Sequence, residues 1–242
     1  MDIAQSVRQR VEWIKKVLAD ANAKGVVLGM SGGKDSALVG ILCKMANDNV
    51  TGIIMPCESK RNYAEDRDDA LLVNEKYGIK TLEVDLTPVK RVFAGMLEPL
   101  DESQTPMAYA NMNPRLRMIT LYNYAQRKGC LVAGTGNLSE FTMGYFTKWG
   151  DGAFDLNPIA DLTASEVFEM LKFLGCPEKI IAKAPSAALF EGQTDEEDMG
   201  IKYSDLDRYI RTGEGSDETK TKVERTKAFT SHKKKMGRIF PD

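Results

Sequence analysis

The feature that most constrains the fold is a short Gly-rich loop set between a strand and a helix. Gly25 to Met30 is an apolar run that reads as a buried strand, Ser31-Gly32-Gly33-Lys34-Asp35-Ser36 follows, and a helical stretch runs from Ala37 to about Ala46. The pattern repeats downstream. Val50 to Met55 is a second strand stopped by Pro56, residues 64–77 are helical, and Thr81 to Val84 is a third strand. A long helix from about Ala108 to Lys128 then leads to a fourth strand, Leu131 to Ala133. Strands that alternate with helices predict a parallel sheet covered on both faces. The expected class is α/β, a three-layer α/β/α sandwich with a mainly parallel sheet.

An amphipathic helix over residues 4–21, with Val7, Val11, Ile14 and Leu18 at helical spacing, precedes this unit. The weakly periodic stretch from Gly95 to Pro106 reads as a loop. Thr163-Ala164-Ser165-Glu166 is a capping box that opens a later helix. The polar run Glu191 to Asp198 reads as a mobile surface segment, and residues 217–231 are helical and charged. No repeat or linker divides the 242 residues, so a single domain over 1–242 is expected.

Composition excludes several classes. The net charge of -2 gives no global field for nucleic acid. Cys43, Cys57, Cys130 and Cys176 form no C-x-x-C pair and His232 is the only histidine, which argues against zinc and a disulfide framework. Scattered single cysteines fit a reducing cytoplasm. The first residues, MDIAQSVRQR, lack the apolar core of a signal peptide, and no apolar run is long enough to span a bilayer.

The Gly-rich loop has the chemistry of an anion cradle. Glycines let backbone amides approach an anion, and the following helix N-terminus adds positive potential. It is not a Walker A loop, which needs Gly at Leu28 and Ser or Thr at Asp35. G-x-G-x-x-G does not fit either. The S-G-G-x-D-S pattern resembles the pyrophosphate loop of the ATP pyrophosphatases, whose fold is adenine nucleotide alpha hydrolase-like. That resemblance makes Gly29, Met30, Ser31, Gly32, Gly33, Lys34, Asp35 and Ser36 an ATP-binding set and Asp35 a Mg²⁺ ligand. The loop alone does not choose among amidating, tRNA-modifying and sulfate-activating chemistry.

Three further stretches choose. Asn111-Met112-Asn113-Pro114-Arg115-Leu116-Arg117-Met118, Gly134-Thr135-Gly136-Asn137-Leu138-Ser139-Glu140 and Gly144-Tyr145-Phe146-Thr147-Lys148-Trp149-Gly150-Asp151-Gly152 resemble segments of the ammonia-dependent NAD synthetases. The resemblance runs from the first helix to His232-Lys233. It implies ATP-dependent amidation of nicotinate adenine dinucleotide (deamido-NAD) by ammonia, through an acyl adenylate, with release of AMP and pyrophosphate. It implies Thr135 and Ser186 as further ATP contacts, Glu140 as a second Mg²⁺ ligand, and Asn111, Arg115, Lys148, Asp155, His232 and Lys233 as dinucleotide contacts. The catalytic set is then Asp35, Glu140, Lys148 and Asp151, with Asp151 either a proton acceptor for ammonium or a turn aspartate capping its own backbone. A homodimer joined along helix 108–128 is also implied; Met112, Leu116, Ile119, Leu121 and Tyr122 give that helix more apolar cover than one core needs.

The pattern departs from the family in three places. Ala164 stands where Lys is common, Ser186 where Thr is common, and Lys34 where the loop residue is variable and often uncharged. Glutamine-dependent relatives carry an amidase domain ahead of the synthetase. Here the phosphate loop lies roughly 30 residues from the first residue, too few for a domain, so ammonia is expected from solution or from another protein. Two rivals remain: another ATP pyrophosphatase, which in its thiolating forms wants paired cysteines and a basic face, and a non-catalytic nucleotide-binding relative, against which Asp35 and Glu140 both speak.

Overall fold

The computed structural model describes residues 2–58, 63–97, 105–183, 195–235 and 237. Among them, strands β1 (Val26–Gly29), β2 (Val50–Ile54), β3 (Lys80–Glu83) and β4 (Leu131–Val132) pair in parallel in the order β3-β2-β1-β4. The helices that connect and follow them are α1 (Ile3–Asp20), α2 (Lys34–Ala46), α3 (Tyr63–Tyr77), α4 (Thr87–Leu97), α5 (Pro106–Ala110), α6 (Met112–Lys128), α7 (Leu138–Met143) and α8 (Ala164–Phe173). Beyond them lie α9 (Glu178–Ile181), α10 (Asp195–Met199), α11 (Tyr203–Thr212), α12 (Asp217–Phe229) and a 3-10 turn at Ser231–Lys234.

The period-two alternation of the strands sorts the core into two layers. Val26, Leu28 and Val50 pack with α1, α2 and α8 on one face, where Val7, Val11, Ile14 and Leu18 form the buried stripe of α1. Val27, Ile53 and Val132 face the opposite way, toward Leu116, Leu121, Tyr122 and Ala125 of α6. A smaller apolar cluster, Met143, Met199, Ile201, Tyr203, Leu206 and Val223, seats α10, α11 and α12 beside α7.

Several boundaries differ from the sequence expectation. The helix expected from about Ala108 begins at Met112, and α5 is a separate short helix before it. Pro114 explains the break: it has no N–H for the Ala110 carbonyl, and its ring crowds that carbonyl. Residues 95–97 of the expected loop finish α4, whereas residues 98–104 lie outside the described residues. The apolar cover of α6 is mostly spent within the chain. Met112 is buried, Leu116, Leu121 and Tyr122 pack on the core, and Ile119 alone of the five stands out at 58 % exposure. The larger exposed apolar face is on α4, at Val92, Phe93 and Met96. No helix among the described residues is long and apolar enough to cross a membrane.

Candidate active site

β1 pairs with β2 on one side and on the other with β4, the strand that follows β3, so the strand order reverses at the β1–β4 seam. Ligands of open α/β sheets gather at such a point. A cavity of about 1940 Å³ opens there, walled by the loop after β1, the turn after β4 and the segment from Gly144 to Phe154.

The loop after β1 is held by its own hydroxyls. Ser36 Oγ donates to the Gly33 carbonyl at 3.0 Å and lies 3.1 Å from Ser31 Oγ, and Gly33 N donates to Ser31 Oγ at 3.2 Å. Gly32 has a φ of +75, and a Cβ there would stand 2.2 Å from the Asp66 carbonyl oxygen, so only glycine fits. Gly33 caps α2 with no side-chain bond, which leaves first-turn amides for an anion.

Asp35 and Glu140 hang from one residue. Asn137 Nδ2 donates to Asp35 Oδ1 at 3.0 Å, and Asn137 N donates to Glu140 Oε2 at 2.9 Å. Asn137 is also the N-cap of α7, accepting from Glu140 N at 3.0 Å. Both carboxylates line the cavity. Burial is the first cause that pushes the Asp35 carboxyl up to about 6, against the Asn137 hydrogen bond and Lys34. Glu140 is raised well above its ordinary value by burial and then by Asp35. Two neighbouring carboxylates held against their tendency to neutralise are hard oxygen donors suited to Mg²⁺. No three His, Cys, Asp or Glu side chains among the described residues close a metal cage.

The N-terminus of α8, where the family residue would be Lys, is satisfied internally. Ala164 N donates to Ser139 Oγ at 3.1 Å, and Ser165 N and Oγ donate to Asp207 Oδ2 at 2.8 and 2.6 Å. Phe168, one turn on from Ala164, lies 5.9 Å (ring centroid) from the Lys34 ammonium. The Lys34 amine therefore reaches the helix face that residue 164 heads, and its burial lowers its proton affinity.

The segment from Gly144 to Gly152 forms the facing wall. Gly150 packs so tightly on α6 that a Cβ would meet Pro114 Cβ at 3.0 Å. Asp151 accepts from Thr147 N at 2.8 Å, the turn-capping bond anticipated for it, and it also lines the cavity, where burial raises its carboxyl. Thr147 Oγ1 donates to Asn111 Oδ1 at 2.7 Å, which fixes Asn111 in the wall. The C-terminal turn straps across this segment: Lys233 Nζ donates to the Gly144 and Phe146 carbonyls at 2.9 and 3.0 Å, and Lys148 Nζ to the His232 carbonyl at 2.7 Å.

Thus the cavity gathers the loop residues other than Gly32, together with Asn111, Thr135, Glu140, Asp151, His232 and Lys233. Arg115, Lys148 and Asp155 stand outside its wall. Arg115 donates to the Lys148 carbonyl at 3.3 Å, and Asp155 accepts from Val132 N at 2.8 Å and from Tyr122 at 3.3 Å. Ser186 and residues 191–194 of the expected mobile segment fall outside the described residues, and the run resumes as α10 at Asp195. Asn137 and Lys183 are site residues that motif reading passed over. The spacing Asn137-x-x-Glu140 is itself a capping signal and marks Asn137; nothing local marks Lys183.

A parallel sheet with a pyrophosphate-type loop and two carboxylates at its switch point defines an α/β ATP pyrophosphatase of the PP-loop class. Comparison with known proteins narrows this. The family model described as NAD synthase matches residues 6–239. The chain is 45% identical over 237 residues to the NH(3)-dependent NAD(+) synthetase of Carboxydothermus hydrogenoformans, covering 97% of this chain and 96% of that one. Its structure is similar to that of NMN synthetase from Francisella tularensis, with TM-score 0.94, 33% identity and both chains fully covered. It is also similar to NH3-dependent NAD synthetase from Campylobacter jejuni, with TM-score 0.80, 29% identity and 99% of both chains covered. The chain belongs to the NAD synthase family, whose members are C–N bond-forming ligases of NAD biosynthesis.

Proposed function

We propose that the chain amidates deamido-NAD with ammonia at the expense of ATP, as one NAD synthetase unit over residues 1–242 in a reducing cytoplasm. The observation that carries this reading is the pairing of Asp35 and Glu140 on Asn137 beside an open phosphate loop. A carboxylate is a poor acyl donor, since its leaving group would be oxide. Its oxygen attacks the α-phosphorus of ATP, a new O–P bond forms, and the bond to pyrophosphate breaks with its electron pair. Ammonia then attacks the carbonyl carbon, the C–O bond to AMP breaks, and the surplus proton passes to a base.

Each step has residues to serve it. The amides of the loop and of α2 receive the departing pyrophosphate. Asp35 and Glu140 would hold Mg²⁺, which when bound would neutralise phosphate charge. Asp151, raised by its burial and facing the cavity, is the proton acceptor for ammonium. The relocated cation at Lys34 takes the place of the Lys common at position 164. Lys148 and Asp155 contact the dinucleotide near its nicotinate ring, and Arg115 contacts it beside Asn111, where two copies of the chain meet. The exposed apolar residues of α4 and Ile119 of α6 supply part of that homodimer contact.

A second reading takes the mononucleotide as substrate. Its support is the closer superposition on the Francisella NMN synthetase, TM-score 0.94 against 0.80 for the Campylobacter NAD synthetase. One experiment separates the two: purified protein with ATP, Mg²⁺ and ammonium, given deamido-NAD or nicotinate mononucleotide, with kcat/KM measured for each. Preference for deamido-NAD with AMP and pyrophosphate as co-products is expected. Preference for the mononucleotide favours the second reading, and ADP with phosphate as main products would overturn both.

A further inference from the structure

Arg117 is a cation in the cavity wall with no anion of its own. It projects from α6 in the helical turn that carries Arg115 and is half-buried. Its Nε donates to the Met55 carbonyl at 3.0 Å. Among the described residues its two Nη groups have neither a hydrogen-bond acceptor nor an ion pair. They are not sealed in the interior either, because Arg117 lines the cavity and no Nη is a closed-off, unsatisfied atom. Asp66 and Asp151 are the carboxylates whose charge it feels. Asp66 is already bound to Lys183 at 2.6 Å, and Asp151 to Thr147 N. A guanidinium that faces a cavity with no acceptor of its own is ready to pair with an anion that enters it.

The anchor fixes where that ligand lies. Met30 N in the phosphate loop donates to the Ile53 carbonyl at 2.9 Å, and Met55 is two residues further along the same chain path. The Met55 methyl would be 3.3 Å from a Cβ on Gly29. Arg117 is therefore set beside the phosphate loop, on the side that faces the Asp151 turn. Between a loop that takes the pyrophosphate and an aspartate that meets ammonium, the group to be held is the α-phosphate. It is bonded to pyrophosphate before adenylation and to the acyl oxygen after it.

We propose that Arg117 forks onto two oxygens of the ATP α-phosphate and stays on it through the acyl adenylate, as a catalytic residue of the first step; this rests on the function proposed above. A planar fork suits two phosphate oxygens, and it counters charge that grows as the carboxylate oxygen bonds to phosphorus and pyrophosphate departs. The step itself makes one O–P bond and breaks another, and it needs no further reactant.

The test uses product-side probes. AMP with Mg²⁺ is titrated into full-length protein saturated with NAD, which fills the dinucleotide site, and pyrophosphate with Mg²⁺ is titrated separately. In Arg117→Ala, AMP affinity falls roughly 10- to 100-fold, as expected for a charged hydrogen-bond partner, and pyrophosphate affinity does not change. Single-turnover pyrophosphate release slows at saturating substrates. Arg117→Lys, which keeps the charge and loses the fork, falls between, and it serves alone if the alanine variant does not fold. A strut for Met55 would behave differently, weakening AMP and pyrophosphate together and lowering Tm. Unchanged AMP affinity, or a loss confined to deamido-NAD affinity, overturns the proposal. Wild-type protein that binds neither AMP nor pyrophosphate overturns the functional reading as well.

Discussion

The Lys34 ammonium donates to the Lys183 carbonyl at 2.6 Å, and the Lys183 ammonium donates back to the Gly32 carbonyl at 3.4 Å and to Asp66 and Asp69 at 2.6 and 2.8 Å. The two lysines thus staple the phosphate loop to α3 and to the backbone that leads toward Ser186. Phosphate oxygens are stronger acceptors than a neutral carbonyl, so ATP competes for the Lys34 amine.

Lys34→Ala should therefore raise the KM for ATP by roughly 10- to 100-fold, the range for a hydrogen bond to a charged group, with little change for deamido-NAD. Because Lys34 reaches the α8 face headed by Ala164, Ala164→Lys in the Lys34→Ala background should recover much of that loss. Steady-state kinetics with ATP varied checks both. An unchanged KM for ATP in the single variant would show that Lys34 only fastens the loop.

Asn137 is expected to matter more than an ordinary helix cap. Asn137→Ser keeps an oxygen for the α7 N-terminus but cannot reach Asp35. Removing a cap altogether costs about 0.5–2 kcal/mol, so Tm should move little in this variant. Turnover should fall, and Asp35→Asn or Glu140→Gln should lower it roughly 10²–10³-fold, the loss typical when one preorganised electrostatic group is removed. Tm should hold in those two variants, because each replaces a carboxylate that burial disfavours. Full activity in either variant would remove that residue from the metal site.

The sheet and the loop were legible because each rests on local pattern, whereas the pairing of Asp35 with Glu140 was implied only by the family resemblance. Val26 to Leu28 is a short apolar run, Gly32 and Gly33 mark a special backbone, and Asp35 and Glu140 sit at helix starts. What escaped was set by tertiary contact. The α5–α6 break follows from Pro114, which was visible, but the fate of Leu116, Leu121 and Tyr122 was not. Apolar residues on a helix do not say whether they face their own sheet or a second copy, and here they face β1 and β4. Lys183 was unreadable for a similar reason, since its partners Asp66 and Asp69 lie more than a hundred residues earlier in the chain.

Protons and Mg²⁺ should compete at the carboxylate pair. Asp35 is raised to about 6, and Glu140 is raised well above its ordinary value by burial and by Asp35. The folded state thus binds more protons than the unfolded chain between the ordinary carboxylate range and about pH 6. By linkage, this pair makes metal-free protein more stable as pH falls from about 7 toward 5. Asp69 and Asp161 are shifted down by their Lys and Arg partners, so their stabilisation is lost only at lower pH. Thermal melts across pH 5–8 should show Mg²⁺ raising Tm at the alkaline end and losing that effect through about pH 6. A Mg²⁺ effect independent of pH would place the ion elsewhere.

The nitrogen source should be ammonia. Glutamine hydrolysis needs a thiol activated by a base. Cys43, Cys57 and Cys176 are buried, and burial pushes their thiols up, Cys43 to about 12 and Cys176 to about 11. Cys130 precedes β4, at the opposite end of the strands from the cavity. The only histidine, His232, has its Nδ1 3.1 Å from the Phe229 carbonyl, in the C-terminal strap. The purified chain should make NAD with ammonium and not with glutamine alone, and added glutaminase should restore use of glutamine. Ammonium dominates at neutral pH but free ammonia is the nucleophile, so turnover at limiting ammonium should climb toward alkaline pH until another group titrates. Comparable turnover on ammonium-free glutamine by this chain alone would overturn the assignment of ammonia as the nitrogen donor.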